Sequence, residues 1–239
     1  MLRRKFHHHL GFAVRGSRGF AGLLFFLVPG AVFSQEIITA VAAFNAVSAQ
    51  YGQVEDYQAD IRIATRSQTM SGVVFYKKPN LFRVNFSEPR DQVIVIDGAS
   101  LQVYLPRQSV TMRQALPRHN EAGLAAMASA QGLNLLMRSY AISYMDSPNL
   151  VPLEAGSRER VRKFRLVWRS TEEGFRQIII SVGENGYIRR MEGITKEYQE
   201  IRYDFTNIII NQGIPDARFT FDAPSSSYTS NNFLFEPES

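Results

Sequence analysis

The chain has 239 residues, with 27 Lys and Arg against 22 Asp and Glu, and it contains no cysteine. This length suits one domain with a substantial core, and the lack of cysteine excludes disulfides, thiolate metal sites and a cysteine-linked lipid anchor. Five basic residues and no acidic ones lie in residues 1–34, so the remainder has 22 charges of each sign and gives no electrostatic case for binding nucleic acid.

Residues 1–34 are predicted to be a signal peptide that is removed from the mature protein. The segment has a basic start at Arg3–Lys5, an apolar run at Phe20–Val28 and a cleavage position after Ser34. A membrane-spanning helix needs about 20 apolar residues, and this run is shorter and ends in Pro-Gly. We therefore expect an exported protein with no membrane anchor.

A helix is predicted directly after this leader, followed by a series of strands. Apolar residues recur at helical spacing from Ile37 to Val47, and this pattern ends near Tyr51-Gly52. Alternating apolar and polar residues then predict strands at 57–63, 71–77, 81–87, 92–96, 101–105 and 109–115.

The strand from Val93 to Ile96 differs from its neighbours because it is apolar on both faces, up to the tight turn at Asp97-Gly98. An antiparallel strand normally needs only one apolar face. Both faces of this strand must therefore be covered. The cover could be a helix, a second sheet or a bound lipid, and the residues leave all three alternatives open.

Residues 119–138 are rich in Ala, Leu and Met and predict one or two short helices. Gly123 and Gly132 would each cost about 1 kcal/mol in a helix interior, so these helices should be weakly stable. The buried face is predicted to carry Leu124, Met127, Leu133, Leu136 and Met137. Methionine suits a surface that repacks around variable apolar guests, but the pattern fits an ordinary capping helix equally well.

Strands dominate again in the last third of the chain. They are predicted at 164–169, 176–182, 187–195, 202–211 and 219–221. Asn185-Gly186 is predicted to form a hairpin turn, since such turns need positive φ angles. The polar run at Ser225–Asn232 leads into residues 228–239, which are predicted to be a flexible C-terminal tail.

The sequence lacks the common catalytic motifs. His119 is the only histidine after the leader, and neither a G-x-S-x-G elbow nor a glycine-rich phosphate loop occurs. Metal sites usually need several His or Cys. We therefore predict a protein that is not an enzyme and has no metal and no cofactor. Asp and Glu are plentiful, so a carboxylate pair for glycoside hydrolysis stays as an alternative.

Two ordered blocks of residues resemble the LolA family of periplasmic lipoprotein carriers. The blocks comprise Tyr76–Arg83, Glu88-Pro89, Asp97-Gly98, Leu101–Pro106, Ile180–Ile188 and Asn211–Pro224. Single elements such as K-P-N or D-G are weak signals, but the ordered set is specific. The resemblance covers most of residues 36–227.

The resemblance implies an α+β fold in which residues 35–227 form a single domain. This domain would be an unclosed antiparallel β-barrel, or half-barrel, with an N-terminal helix and short lid helices over its concave face. The implied function is that of a soluble, monomeric periplasmic carrier, which binds lipoprotein acyl chains in a hydrophobic cavity and transfers them from the inner to the outer membrane. The implied partners are an inner-membrane lipoprotein-releasing ABC transporter and an outer-membrane acceptor.

The acyl-chain cavity is predicted from the apolar faces of the strands and of the middle helices. Its candidate residues are Phe82, Val84, Phe86, Val103, Leu105, Leu124, Met127 and Leu136. The alternative for each is that it is plain core. Alternation does not say which strand face looks inward, because a slip of one residue exchanges the two sets.

Lys78 is the candidate latch for the lid. In the LolA family an arginine before the proline of the first block fastens the closed lid to the barrel, and Lys78 holds that position here. Lysine can donate to helix carbonyls but lacks the planar fork of arginine. The alternative is a solvated lysine at the end of a strand.

Two other functions stay open. The same fold could serve as a lipid-sensing regulatory domain that acts on a membrane signalling partner. The chain could also be an extracytoplasmic lipid or glycan hydrolase, which would show itself by turnover of a labelled substrate.

Overall fold

The computed structural model describes residues 38–116 and 128–233, which form one 13-stranded sheet with two α-helices on one of its faces. The helices are α1 (Ala40–Tyr51) and α2 (Ala130–Ser139), and short 3-10 turns cover Pro106–Gln108 and Asp216–Phe219. The strands are β1 (Asp56–Ala64), β2 (Thr69–Lys77), β3 (Leu81–Glu88), β4 (Val93–Asp97), β5 (Ser100–Leu105), β6 (Val110–Ala115), β7 (Tyr140–Tyr144), β8 (Val151–Pro152), β9 (Arg160–Trp168), β10 (Phe175–Gly183), β11 (Ile188–Thr195), β12 (Glu200–Ile210) and β13 (Tyr228–Asn231). The predicted signal peptide lies outside the described residues.

The sheet is unclosed and almost entirely antiparallel. Its strand order is β13-β6-β5-β4-β3-β2-β1-β12-β11-β10-β9-β7, and β8 also pairs with β9. The one parallel pair among the described strands is β13 with β6. Asn185-Gly186 lies in the turn between β10 and β11, and Gly186 has a φ of 80°. The predicted half-barrel with an N-terminal helix is therefore confirmed.

Helix α1 forms because its sequence combines a good cap with one buried stripe. The Thr39 side chain accepts a hydrogen bond from Ala42 N at 3.2 Å and so begins the helix. Phe44 is fully buried, and its ring meets that of Phe164 edge-on at 5.2 Å. We call the sheet face that carries α1 and α2 the inner face, and the opposite one the outer face.

The strand register assigns alternate side chains to the two faces. Tyr76 lies opposite Phe82, Phe82 lies opposite Ile96, and all three are buried in the inner-face core. The next row along, with Arg83 opposite Val95, belongs to the outer face. A slip of one residue would exchange these rows, so the pairing settles what alternation alone could not.

The outer face of β2 to β6 is covered by residues 214–232, which we call the C-terminal strap. Its 3-10 turn packs on β3 and β4, where Phe219 and Val95 are both buried. Arg83 Nη1 on β3 donates to the carbonyls of Arg218 at 3.1 Å and Thr220 at 2.8 Å. The doubly apolar strand β4 is therefore covered by protein on both sides, and its outer face needs no lipid.

The structure differs from the sequence prediction at several places. Residues 219–221 do not form a strand, because the strap begins with the 3-10 turn and its carbonyls bond to side chains of the sheet. Residues 228–231, assigned to the tail, form β13 on the edge of β6. The strands β7, at Tyr140–Tyr144, and β8, at Val151–Pro152, were not predicted.

Candidate functional site

Four of the predicted cavity residues meet in one buried cluster on the inner face. Phe82, Val84 and Phe86 project from β3, and Leu136 projects from α2. Each exposes less than a tenth of its surface. The two remaining cavity candidates from the middle helices, Leu124 and Met127, lie outside the described residues.

The two predicted residues on β5 share the inner face but not the buried cluster. Val103 lies opposite Ile94, which lies opposite Val84, so the three form one row across β3 to β5. Leu105 follows two residues later on the same face. Val103 and Leu105 are only half-buried. The structure thus brings all five predicted strand residues to one face, with Val103 and Leu105 at its more accessible side.

Side chains from the two helices pack into the buried cluster of the inner face. Phe44 of α1 and Leu133 of α2 are fully buried in the same cluster as the sheet residues. A pocket between α1 and the sheet has a volume of about 10 Å³, which is near the minimum for one water molecule. No acyl chain fits in this pocket, so a chain could reach this part of the inner face only by displacing α1.

Lys78 joins the end of α1 to the turn between β2 and β3. Its Nζ atom donates to the carbonyl of Gly52, the C-cap of α1, at 2.6 Å, and to Glu55 Oε1 at 3.1 Å. A cation at this position also complements the negative end of the helix dipole. Lys78 therefore binds the carbonyl of the residue that caps α1, so the helix that it holds is α1.

Two further hydrogen bonds tie the last turn of α1 to the hairpin between β10 and β11. Gln50 Nε2 donates to the carbonyl of Asn185 at 2.8 Å. The backbone N–H of Ile188 donates to Tyr51 Oη at 3.0 Å in a buried position. The C-terminal turn of α1 is thus held by both halves of the sheet, since Lys78 belongs to one half and this hairpin to the other.

The two helices also contact each other. Ser48 Oγ of α1 donates to Asn134 Oδ1 of α2 at 3.1 Å. The Ser129 side chain caps α2 by accepting from Gly132 N at 3.1 Å, and this glycine lies in the first turn, where its cost is smaller than in a helix interior. Displacing α1 would therefore disturb α2 as well.

The inner-face cluster is apolar apart from tyrosine hydroxyls. Among the described residues, Asp56 is the one buried carboxylate, and it lies at the start of β1, where it accepts from three backbone N–H groups. Burial raises the pKa of Tyr203 to about 12, so its hydroxyl is neutral at physiological pH. Within residues 38–116 and 128–233, no three His, Cys, Asp or Glu side chains come together as metal ligands would. This surface is suited to binding hydrocarbon.

The most important feature that the sequence did not predict is the packing of α1 into the buried cluster of the inner face. A signal was present, because none of the 12 residues of α1 is charged.

In the described ranges, no helix is long and apolar enough to cross a membrane.

Comparisons with known proteins agree with this geometry. The family model described as "Outer membrane lipoprotein carrier protein LolA" matches residues 42–222. An outer-membrane lipoprotein carrier protein of Pseudomonas putida (strain GB-1) is 26% identical over 164 residues, which cover 68% of this chain and 72% of that protein. The protein of the same name from Albidiferax ferrireducens is 26% identical over 190 residues, covering 78% and 85%.

One solved structure supports the fold alone. It is an uncharacterized conserved protein from Thermus thermophilus, which superposes with a TM-score of 0.52 at 11% identity. The match covers 79% of this chain and 96% of that one.

Proposed function

Because the chain belongs to the LolA family of outer membrane lipoprotein carrier proteins, we propose that it carries lipoproteins through the periplasm, binding their acyl chains on the inner face and transferring them from the inner to the outer membrane. The observation that carries this proposal is the single apolar cluster that spans both halves of the sheet and is covered by an uncharged helix. Residues 1–34 would direct export and be removed, and the protein would act without catalysis.

The packing of α1 offers a physical basis for both uptake and release. Burying hydrocarbon contributes about 0.8 kcal/mol per CH₂ group, so an open cavity for whole acyl chains would bind them too tightly to let them go. In this protein the ligand must compete with Phe44, Val47 and Tyr51 of α1 for the same surface. The net binding free energy is the difference between burying the ligand and burying the α1 side chains. This lower affinity allows cargo to pass to an acceptor that binds it better.

The predicted site residues have definite places in this proposal. Phe82, Val84, Phe86 and Leu136 would be uncovered when the helices withdraw, whereas Val103 and Leu105 would contact the ligand first because they are half-buried. An inner-membrane lipoprotein-releasing ABC transporter would supply the cargo, and an outer-membrane acceptor would receive it.

The direct test is binding of a dansyl-labelled fatty acid to the mature protein. Trp168 is the only tryptophan of the chain and packs against the inner-face cluster, so energy transfer from Trp168 to the dansyl group reports binding. Val103→Glu should weaken binding at least tenfold, because its carboxylate would have to lose water beside the ligand. Val103 is a better choice than Phe82, since a carboxylate at Phe82 would be buried in the core of the empty protein.

Val93→Glu is the matched control. Val93 is also a half-buried valine, but it pairs with Tyr104 and therefore belongs to the outer face. Its substitution should leave the affinity for the labelled fatty acid unchanged. Equal uptake by wild-type protein and Val103→Glu would contradict the proposed site.

Photo-crosslinking in cells distinguishes the carrier from the sensor. A photoreactive residue at position 103 should trap several lipoproteins. Capture of a single membrane signalling protein, with no lipoprotein, would contradict the carrier proposal and favour the lipid-sensing alternative.

Lys78→Met is expected to raise the affinity for the labelled fatty acid about two- to fivefold. The variant keeps the apolar stem but loses the ammonium group that holds the Gly52 carbonyl, so α1 becomes easier to displace. A partly exposed charged hydrogen bond of this kind contributes about 1 kcal/mol. Titration with the same probe gives the affinity.

The neighbouring lysine provides the control for this prediction. Lys77 Nζ contacts the strap, at 2.8 Å from the Ile214 carbonyl and 2.5 Å from Asp216 Oδ1, and it does not hold α1. Lys77→Met should therefore leave the affinity unchanged. A similar gain in both variants would show that the effect is not specific to α1.

A further inference from the structure

A group of tyrosines lies at one end of the inner face. Tyr51 packs edge-on against Tyr187 at 5.8 Å, and Tyr57 stacks on Tyr76 at 5.3 Å. Tyr51, Tyr57, Tyr187 and Ile188 all line the same pocket of about 10 Å³. This end of the inner face therefore carries polar groups, although the pocket itself is too small for a ligand while α1 is in place.

The hydrogen bond between α1 and the sheet at this end would be broken when α1 withdraws. The backbone N–H of Ile188 donates to Tyr51 Oη at 3.0 Å, and Tyr51 is the last residue of α1. Without Tyr51, this buried N–H loses its acceptor, which is costly unless another acceptor replaces it. A hydrocarbon chain cannot do so, but a carbonyl oxygen can.

Tyr57 supplies a second donor, since it lines the same pocket as Ile188. It is buried on β1, and its hydroxyl makes no hydrogen bond with another described residue. Burial raises the pKa of Tyr57 well above its usual value, so the hydroxyl keeps its proton at physiological pH. Tyr57 belongs to the sheet, so it stays in place when α1 moves.

We propose that Ile188 N–H and the Tyr57 hydroxyl bind the ester or amide carbonyl that joins an acyl chain to its headgroup. This assignment rests on the proposed carrier function and adds an orientation to it. The carbonyl end of the ligand lies at the tyrosine end of the inner face, in the place that Tyr51 occupies in the empty protein. The hydrocarbon extends from there toward the opposite end of the strands.

The opposite end offers a matched tyrosine. Tyr203 is buried on β12, where it pairs with Ile63, whereas Tyr57 pairs with Ile210. Ile63 is six residues from Tyr57 along β1, which places Tyr203 about 20 Å from the tyrosine end at about 3.3 Å per residue. A ligand in the proposed orientation would place its carbonyl near Tyr57 and far from Tyr203.

The test uses two ligands that differ only in the carbonyl. Methyl palmitate and hexadecyl methyl ether are titrated against the mature protein loaded with a fluorescent apolar probe, and displacement gives both affinities. Wild-type protein should prefer the ester by about fivefold or more, the ratio expected for one or two added hydrogen bonds. Tyr57→Phe should reduce this preference about fivefold and leave ether binding unchanged, whereas Tyr203→Phe should leave the preference intact.

The outcomes separate this inference from the carrier function. Equal affinity of wild-type protein for the two ligands would overturn the carbonyl site, and so would an equal loss of both in Tyr57→Phe. Loss of the ester preference in Tyr203→Phe instead would reverse the orientation and overturn the assignment. Displacement by neither ligand would contradict the carrier function itself. A shift of the Ile188 amide signal in NMR spectra with the ester, and not with the ether, would support it directly.

Discussion

Phe44→Ala is expected to lower the free energy of unfolding by about 3–5 kcal/mol and to raise the affinity for an acyl probe at least tenfold. Phe44 is fully buried and fills the inner face against Phe164. Its removal leaves a cavity and weakens the packing of α1. The proposed ligand competes with that packing. Destabilising the packing of α1 in the empty protein therefore lowers the free energy needed for the ligand to displace it, and binding becomes tighter. Guanidinium unfolding and titration with a dansyl-labelled fatty acid measure the two effects.

Phe219→Ala is the control for this prediction, because it tests whether any loss of core packing raises the affinity for the probe. Phe219 is as deeply buried as Phe44, but it belongs to the C-terminal strap and packs on the outer face. Its removal should lower stability to a similar extent without raising the affinity for the probe. A gain in affinity in both variants would show that any loosening of the core admits the ligand, which would contradict the specific role of α1.

Asp56→Ala is expected to lower the free energy of unfolding by about 2–4 kcal/mol. The Asp56 carboxylate is 2% exposed and accepts from the backbone N–H groups of Gln212, Gly213 and Ile214 at 2.8, 2.9 and 3.1 Å. These bonds fix the beginning of the strap, and the two residues before it, to the start of β1. A buried donor that loses its acceptor costs about 1–3 kcal/mol, and the more exposed donors among the three can turn to water. Thermal and guanidinium unfolding both measure the loss.

Asp216→Ala tests whether the position of the carboxylate is what matters. Asp216 also lies in the strap and pairs with Lys77, but its side chain is 78% exposed. Exposed pairs contribute about 1 kcal/mol or less, so this variant should unfold close to wild type. Equal losses in the two aspartate variants would contradict the role assigned to the buried one.

Local sequence determined α1 and most of the strands, and which residues could share a face, but it did not predict β7 or β13. The alternation in Phe82, Val84 and Phe86 predicted β3, and the helical spacing that ends near Tyr51 predicted α1. A strand repeats every two residues and a helix every 3.6, so the spacing of apolar residues within a segment indicates which of the two it forms. The absence of charged residues in α1 is also visible in the sequence, but the sequence alone did not show that this helix is packed on the inner face.

Only the tertiary structure decided what covers each face and which partners the polar side chains find. Residues 219–221 look like a strand but are held across the outer face, because Arg83, far away in the sequence, binds their neighbouring carbonyls. Lys78 finds its carbonyl 26 residues away, at the end of α1. Strand register and long-range hydrogen bonds depend on how distant segments meet. Periodicity within one segment contains no information about these long-range contacts, so the packing of α1 on the inner face could be seen only in the folded chain.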